Sequence, residues 1–292
     1  MPPVAEFVAA LPGKPWQGED PRDKTILVYH ESGLGDSIQF ARYARLIAAW
    51  GGRVVAVVGR PLSRLFRGVP GLQRVAAAGE PVPAFDFHVS FLSMPLLLGT
   101  GSEILGGAPP YLRLPSVMAA GATAPEGEGL RVGLVWAGNP THANDRYRSM
   151  PFSALAPILA VPGVTFYSHQ LGPCVVDLAP ELHDLTDTAA AMTWLDLVIS
   201  VDTAAAHLAG ALARPVWTLL PLGSDWRWLL GRDDSPWYPT MRLFRQAKAG
   251  DWADPVRQAA KALAALAARS GGANLPPDQD SAPNGGTERG TA

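Results

Sequence analysis

Hydrophobic and polar positions divide the chain into short apolar runs separated by helical stretches and turn-rich breaks. Residues 53–58 are almost wholly apolar, the pattern of a strand buried on both faces of a parallel sheet. Residues 25–30, 130–136, 164–169, 196–201, 215–220 and 241–244 read as further strands, with 73–77 and 86–91 as shorter ones. Between them lie predicted helices. One opens at a glycine-bearing loop and runs to residue 50, where Gly51-Gly52 ends it. Residues 61–67 and 151–160 start on proline, which suits a first helical turn. Residues 187–195, 204–213 and 254–268 complete the helices, and 225–230 forms a short aromatic helical turn. Residues 92–98 are apolar but interrupted by Pro95, so their type stays open.

Strands alternating with helices imply an α/β fold with parallel sheets and right-handed crossovers. A composition break at residues 115–129 places a boundary between two halves. The organisation expected is a proline-rich lead-in at 1–23, Rossmann-like domains at 24–120 and 129–253, a last helix at 254–269 and a disordered tail at 270–292. The two sheets then face each other across a cleft. Ligands in such sheets lie beyond the carboxyl ends of the strands.

Composition narrows the class. The 292 residues are 48% hydrophobic, enough for a real core, and the net charge of -2 with no basic run argues against nucleic-acid binding. Cys174 is the only cysteine, so an intramolecular disulfide is impossible. No run of 18 apolar residues spans a bilayer, and residues 1–13 lack the basic and apolar regions of a signal peptide. A soluble, cytoplasmic protein is expected.

Two stretches carry candidate chemistry. At residues 198–207 a buried strand turns sharply at Asp202-Thr203 into a helix that begins at Ala204. Such a junction aims unpaired N–H groups and the helix dipole at one point, an anion site, and His207 follows Thr203 by one turn. The alternative is an ordinary N-cap with a satisfied helix histidine. Residues 25–40 repeat the grammar with Gly33-Leu34-Gly35-Asp36. This is neither a dinucleotide fingerprint, because Ile38 stands where glycine is needed, nor a Walker loop. Asp36 either caps its helix or, held over the cleft, accepts a proton from a hydroxyl. The loop at 141–149 gathers His142, Asn144, Asp145, Arg146 and Arg148 near the anion site, where an arginine could neutralise a diphosphate leaving group. Zinc spacing and a core Asp-x-Asp pair are missing, so no metal is expected. Trp226, Trp228, Trp237 and Tyr238 cluster near the end of the second half. Packing is the expected role for these, as for Trp16 and Trp50, over stacking on a base or lining an acceptor groove.

Taken together, the stretches at 31–43, 133–145, 148–151, 196–210, 225–228 and 235–239 resemble glycosyltransferase family 9, the lipopolysaccharide heptosyltransferase family, over roughly residues 24–265. They look closest to the modules that follow tetratricopeptide repeats in bacterial proteins. The resemblance implies a GT-B fold with an acceptor-side first domain and a nucleotide-sugar second domain, onto whose partner the last helix crosses back. It implies an inverting, metal-independent transferase with no cofactor beyond a nucleotide-diphosphate sugar, acting on a lipopolysaccharide, surface-glycan or protein acceptor. Asp36 would be the base on a loop shaped by Gly33 and Gly35. Arg148, Asp202, Thr203, Ala204 and His207, with Asn139 and His142, would hold the donor. A tetratricopeptide-repeat partner and peripheral association with the inner face of the membrane fit the same picture.

Two rivals stay open. Residues 169–173 look short and lack a lysine expected near Gln170, and no tetratricopeptide repeat is found in this chain. Both features fit a non-catalytic nucleotide-sugar or glycan-binding module. A sugar-nucleotide epimerase on the same fold is the other.

Overall fold

The computed structural model describes residues 4–99, 110–114, 129–170 and 172–270. The expected boundary at 115–129 and the tail beyond Ser270 therefore lie, except for Gly129, outside the described residues.

Two all-parallel sheets form the molecule. The first has the order β1-β5-β2-β3-β4, from β1 (Lys14–Pro15), β2 (Thr25–Tyr29), β3 (Arg53–Val58), β4 (Leu72–Ala77) and β5 (Phe87–Ser90). The second has the order β11-β10-β9-β6-β7-β8. It comprises β6 (Leu130–Val135), β7 (Val164–Ser168), β8 (Val176–Asp177), β9 (Leu197–Val201), β10 (Val216–Leu220) and β11 (Met241–Arg245). In β3 every residue after Arg53 is buried, and in β9 every residue is, which is why both read as unbroken apolar runs.

Proline and helix caps set the helix boundaries. After α1 (Val4–Ala9), the long helix expected up to residue 50 is three pieces. These are α2 (Leu34–Phe40), a 3-10 turn at Ala41–Tyr43 and α3 (Ala44–Ala49). Gly51 then takes φ +86°, which only glycine adopts without strain. Pro61 lies at the start of α4 (Arg60–Phe66), and Pro95 at the start of α5 (Met94–Leu98), which settles the ambiguous segment as helix. The second half holds α6 (Asp145–Arg148), a 3-10 turn at Phe152–Leu155 running into α7 (Ala156–Leu159), α8 (Leu185–Met192), α9 (Ala204–Ala211), a 3-10 turn at Trp226–Trp228 and α10 (Ala253–Ser270).

The described part of the lead-in, residues 4–23, packs on the first sheet. Trp16 is buried in the main core, its backbone N–H donates to the His88 carbonyl and its indole N–H to the Glu19 carbonyl, and Phe7, Val8 and Leu11 pack on β2 and β3. An apolar residue that can reach a sheet face buries area regardless of the prolines around it. The last helix does not cross back: Val256, Ala259 and Leu263 bury against Leu134, Ile199 and Phe244 of the second sheet. Its apolar stripe finds a complete partner on the sheet it follows, and its packing is with α7, β10 and β11.

One apolar cluster runs through both halves, joining Ile26 and Val28 of β2 to Val198 of β9 and Val216 of β10. Helices α2 and α9 make its seam. A side chain at Gly35 would place its Cβ 2.6 Å from the His207 ring, so only glycine allows this approach. Beside the seam, the buried Arg42 donates to the carbonyls of Gln39 and Trp237 and to the Tyr111 hydroxyl, with its guanidinium over the rings of Tyr111, Tyr238 and Trp237. On the far side Arg64 of α4 grips Asp184 at 2.8 Å and also pairs with Asp187, both at the start of α8.

Candidate active site

The carboxyl ends of β2 and β9 open into one cavity of about 1380 Å³ between the sheets. The structure brings all the sequence-predicted site residues to its wall. Gly33, Gly35 and Asp36 come from the first sheet's edge, Asn139, His142 and Arg148 from the loop after β6, and Asp202, Thr203, Ala204 and His207 from the β9–α9 junction.

The anion site is built as the strand–helix grammar requires. Ala204 and Ala205 line the cavity, and their N–H groups have no acceptor among the described residues. Thr203 precedes the helix but does not cap it; its hydroxyl lies 3.0 Å from the Ser200 hydroxyl, which leaves the helix start open. Arg148 reaches the same point, donating to the Asp202 carbonyl at 3.0 Å and to Asp145 at 3.3 Å. Two cationic features, a guanidinium and a helix N-terminus, thus converge on one wall.

The Asp202 and His207 side chains turn away from that point. The Asp202 carboxylate accepts from the Trp228 indole N–H at 2.9 Å. Burial raises its pKa, against the opposing pull of the Trp228 hydrogen bond and Arg227. His207 is 3% exposed, its Nδ1 is 2.9 Å from the Tyr238 hydroxyl, and its ring stacks on Trp228. Burial, and then repulsion from Arg227, Arg42 and Arg148, drives its pKa well below 6.5, so the imidazole is neutral. Its place in the seam fits the satisfied helix histidine of the plainer reading. Asn139 and His142 fold their own loop: the Asn139 side-chain Oδ1 accepts from the Thr141 N–H and hydroxyl, and His142 Nδ1 accepts from the Asn144 N–H.

Asp36 faces the anion wall across the cavity with both oxygens engaged. Oδ2 accepts from the Gly33 N–H at 2.8 Å, the capping role, and Oδ1 pairs with Arg227 at 2.7 Å. Arg227 also holds Asp225 at 2.8 Å. Burial would depress the Arg227 pKa, but Asp36 and Asp225 outweigh it and the pKa is raised. The guanidinium is therefore a fixed positive charge linking the two halves beside the candidate base.

Sequence reasoning missed Arg227, seen only as a residue between two tryptophans, and Gln170, seen only as a missing lysine. Gln170 accepts from the Trp136 N–H at 2.8 Å and donates to the Ala137 carbonyl at 2.7 Å, which fixes the loop that carries Arg148. The motif Asp225-Trp-Arg-Trp228 was visible, but no periodicity marks which of its residues crosses to the other domain. Of the aromatic cluster, Trp228, Trp237 and Tyr238 are buried, as packing predicts, while Trp226 is exposed. Trp16 is core and Trp50 is half-exposed.

Residues 167–228, from β7 through the anion site to the Trp226–Trp228 turn, match the family model for glycosyltransferase family 9 (heptosyltransferase). Protein FlbA of Caulobacter vibrioides is 30% identical over 295 residues, covering 88% of this chain. The chain spans about half of that relative, 49% of its length. Among solved structures, a family 9 glycosyl transferase from Veillonella parvula superposes with a TM-score of 0.60 at 11% identity, over 87% of this chain and 100% of its own. The E. coli ADP-heptose lps heptosyltransferase II gives 0.58 at 15% identity, over 84% and 99%. The chain thus has the two-sheet GT-B fold of the heptosyltransferase structures. Among the described residues no three His, Cys, Asp or Glu side chains gather to hold a metal, and no helix is long and apolar enough to cross a membrane.

Proposed function

We propose that this chain transfers a sugar, with inversion and without a metal, from a nucleotide-diphosphate donor to a hydroxyl of a glycan or protein acceptor. The observation that carries the reading is the pairing of an open helix N-terminus and Arg148 on one wall with Asp36 on the facing wall of the same cavity. The E. coli neighbour is an ADP-heptose lps heptosyltransferase, which supports a nucleotide-diphosphate donor here.

In the proposed step, Asp36 takes the acceptor's hydroxyl proton while that oxygen attacks the anomeric carbon opposite the leaving group. The bond from that carbon to the diphosphate breaks and its electron pair leaves with the nucleotide. The N–H groups of Ala204 and Ala205 and the Arg148 guanidinium meet the charge that develops on the diphosphate. Fixed donors of this kind replace the role a cation plays elsewhere. For Asp36 to receive the proton, one oxygen must exchange the Arg227 or Gly33 contact for the acceptor hydroxyl.

The test has two parts. Thermal shifts with ADP, UDP, GDP, CDP and TDP, without metal, should show stabilisation by one base class and its loss in Arg148→Ala; a ligand at a hundred times its Kd adds about 2.7 kcal/mol. With that donor, Asp36→Asn should bind and not transfer. Full transfer by Asp36→Asn would remove Asp36 as base.

The engagement of both Asp36 oxygens favours a second reading, a binding module that holds a nucleotide sugar and turns nothing over. Any glycan product from the wild type removes it.

A further inference from the structure

Arg227 is anchored at one end and bridges at the other. It lies in the Trp226–Trp228 turn, and the Trp237 indole pins the backbone there by donating to the Arg227 carbonyl at 2.8 Å. The stem of its side chain is fixed within the same half, where Nε donates to Asp225 at 2.8 Å. The fork beyond crosses to the first half. Nη1 pairs with Asp36 Oδ1 at 2.7 Å, and Nη2 has no partner among the described residues. Arg227 lines the cavity, yet the two side chains of the pair are only 9% and 15% exposed, so this is not a screened surface contact.

The same guanidinium reaches towards the anion wall. The neighbouring Trp228 donates its indole N–H to the Asp202 carboxylate at 2.9 Å and stacks on His207. This tie brings Arg227 close enough to the β9–α9 junction for its charge to act on both Asp202 and His207, as that of Arg148 does. Two guanidinium groups therefore act on the open helix start, and one of them is held by the candidate base.

A carboxylate and a diphosphate compete for an arginine fork, since both offer oxygens that accept from adjacent N–H groups. The diphosphate carries more charge and, at the helix start, has the support of Ala204, Ala205 and Arg148. Drawing the fork away from Asp36 does not orphan a buried cation, because Asp225 keeps Nε. It does release Asp36 Oδ1 to accept a hydroxyl proton, while Oδ2 stays on the Gly33 N–H. We propose that Arg227 is a positioning residue shared between base and donor: the donor's diphosphate takes the Nη groups from Asp36, so the base is freed as the donor binds. The inference rests on the donor site of the transferase reading, but its test needs no transfer.

Competition for one guanidinium has a binding signature. Calorimetric titration of the full chain with ADP, UDP, GDP, CDP and TDP gives Kd for wild type, Asp36→Asn, Arg227→Gln and the double variant. Asp36→Asn keeps an oxygen for the Gly33 cap and gives up the ion pair, so it should bind the nucleotide roughly three- to tenfold tighter than wild type. Arg227→Gln should bind more weakly, and adding Asp36→Asn to it should bring no gain. Melting curves without nucleotide show which Arg227 variants are folded. Arg227→Lys, which keeps the charge but not the fork, is the milder background and should show a smaller gain than wild type. Asp36→Asn binding no tighter than wild type overturns the proposal. An undiminished gain in either Arg227 background does so too, because the carboxylate then merely repels the ligand. Both of those results leave the donor site standing, whereas a wild type that binds none of the nucleotides removes the donor site and this role of Arg227 together.

Discussion

Gly35→Ala tests the closeness of the two halves. The added methyl would sit 2.6 Å from the His207 ring carbon Cδ2, against the ~3.5–4.0 Å at which carbon atoms rest. The deficit of ~1 Å has no easy outlet. His207 is pinned by Tyr238 at Nδ1 and stacked on Trp228 5.2 Å away, and Trp228 is itself held by Asp202. Overpacking of this kind costs about 1–3 kcal/mol, and displacing the imidazole adds about 1 kcal/mol for the Tyr238 hydrogen bond. Alanine's better helix propensity returns at most ~1 kcal/mol, less in a first turn. Steric overlap wins, and the net destabilisation should be about 1–3 kcal/mol, a Tm lowered by roughly 2–10 °C for a chain this size. Scanning calorimetry reads this directly. Gly33→Ala is the control, since its Cβ would meet only the Asp36 carboxylate, Oδ2 at 3.1 Å rather than a ring carbon at 2.6 Å, so its Tm should move less. A Gly35→Ala protein melting within a degree of wild type would show that the α2–α9 seam is looser than these distances imply.

Other outcomes follow from the charges at the interface. Arg64→Met should cost about 0.5–1 kcal/mol at neutral pH, since the pair is partly solvated. Burial raises the Asp184 pKa, but Arg64 and the Thr186 N–H outweigh it and hold it below the usual value. That stability is complete above the unfolded carboxylate pKa of about 3.9 and is lost as pH falls through the folded one, so urea titrations of wild type and Arg64→Met should converge in that range. His207 acts in the same sense at higher pH: the unfolded chain binds a proton below about pH 6.5 that the folded chain refuses, so stability falls as pH drops below 6.5. His207→Gln should flatten that fall by up to about 1.4 kcal/mol per pH unit, and an unchanged slope in urea midpoints would refute a buried neutral imidazole.

Much of this protein was written in short-range patterns. Unbroken apolar runs identified the parallel strands because a strand covered on both faces has no polar side to alternate. The two strand–loop–helix junctions were readable for the same reason, since a turn polar enough to leave a helix start open is a local feature. Those junctions brought Asp36 and Ala204 to one cavity. The fate of each side chain there was not local. Whether His207 meets a ligand or a tyrosine depends on Tyr238, 31 residues away, and whether Asp36 is free depends on Arg227 of the other half. Gln170, read as a missing lysine, acts through a hydrogen bond to a loop 33 residues earlier. Family likeness said crossover, yet the last helix settled on the nearest apolar face that its own stripe could cover. Sequence determined the strands, the helix starts and the chemistry available at the sheet edges. Tertiary packing alone decided which of those groups pair with one another and which remain open to a ligand, because pairing depends on distances between segments far apart in the chain.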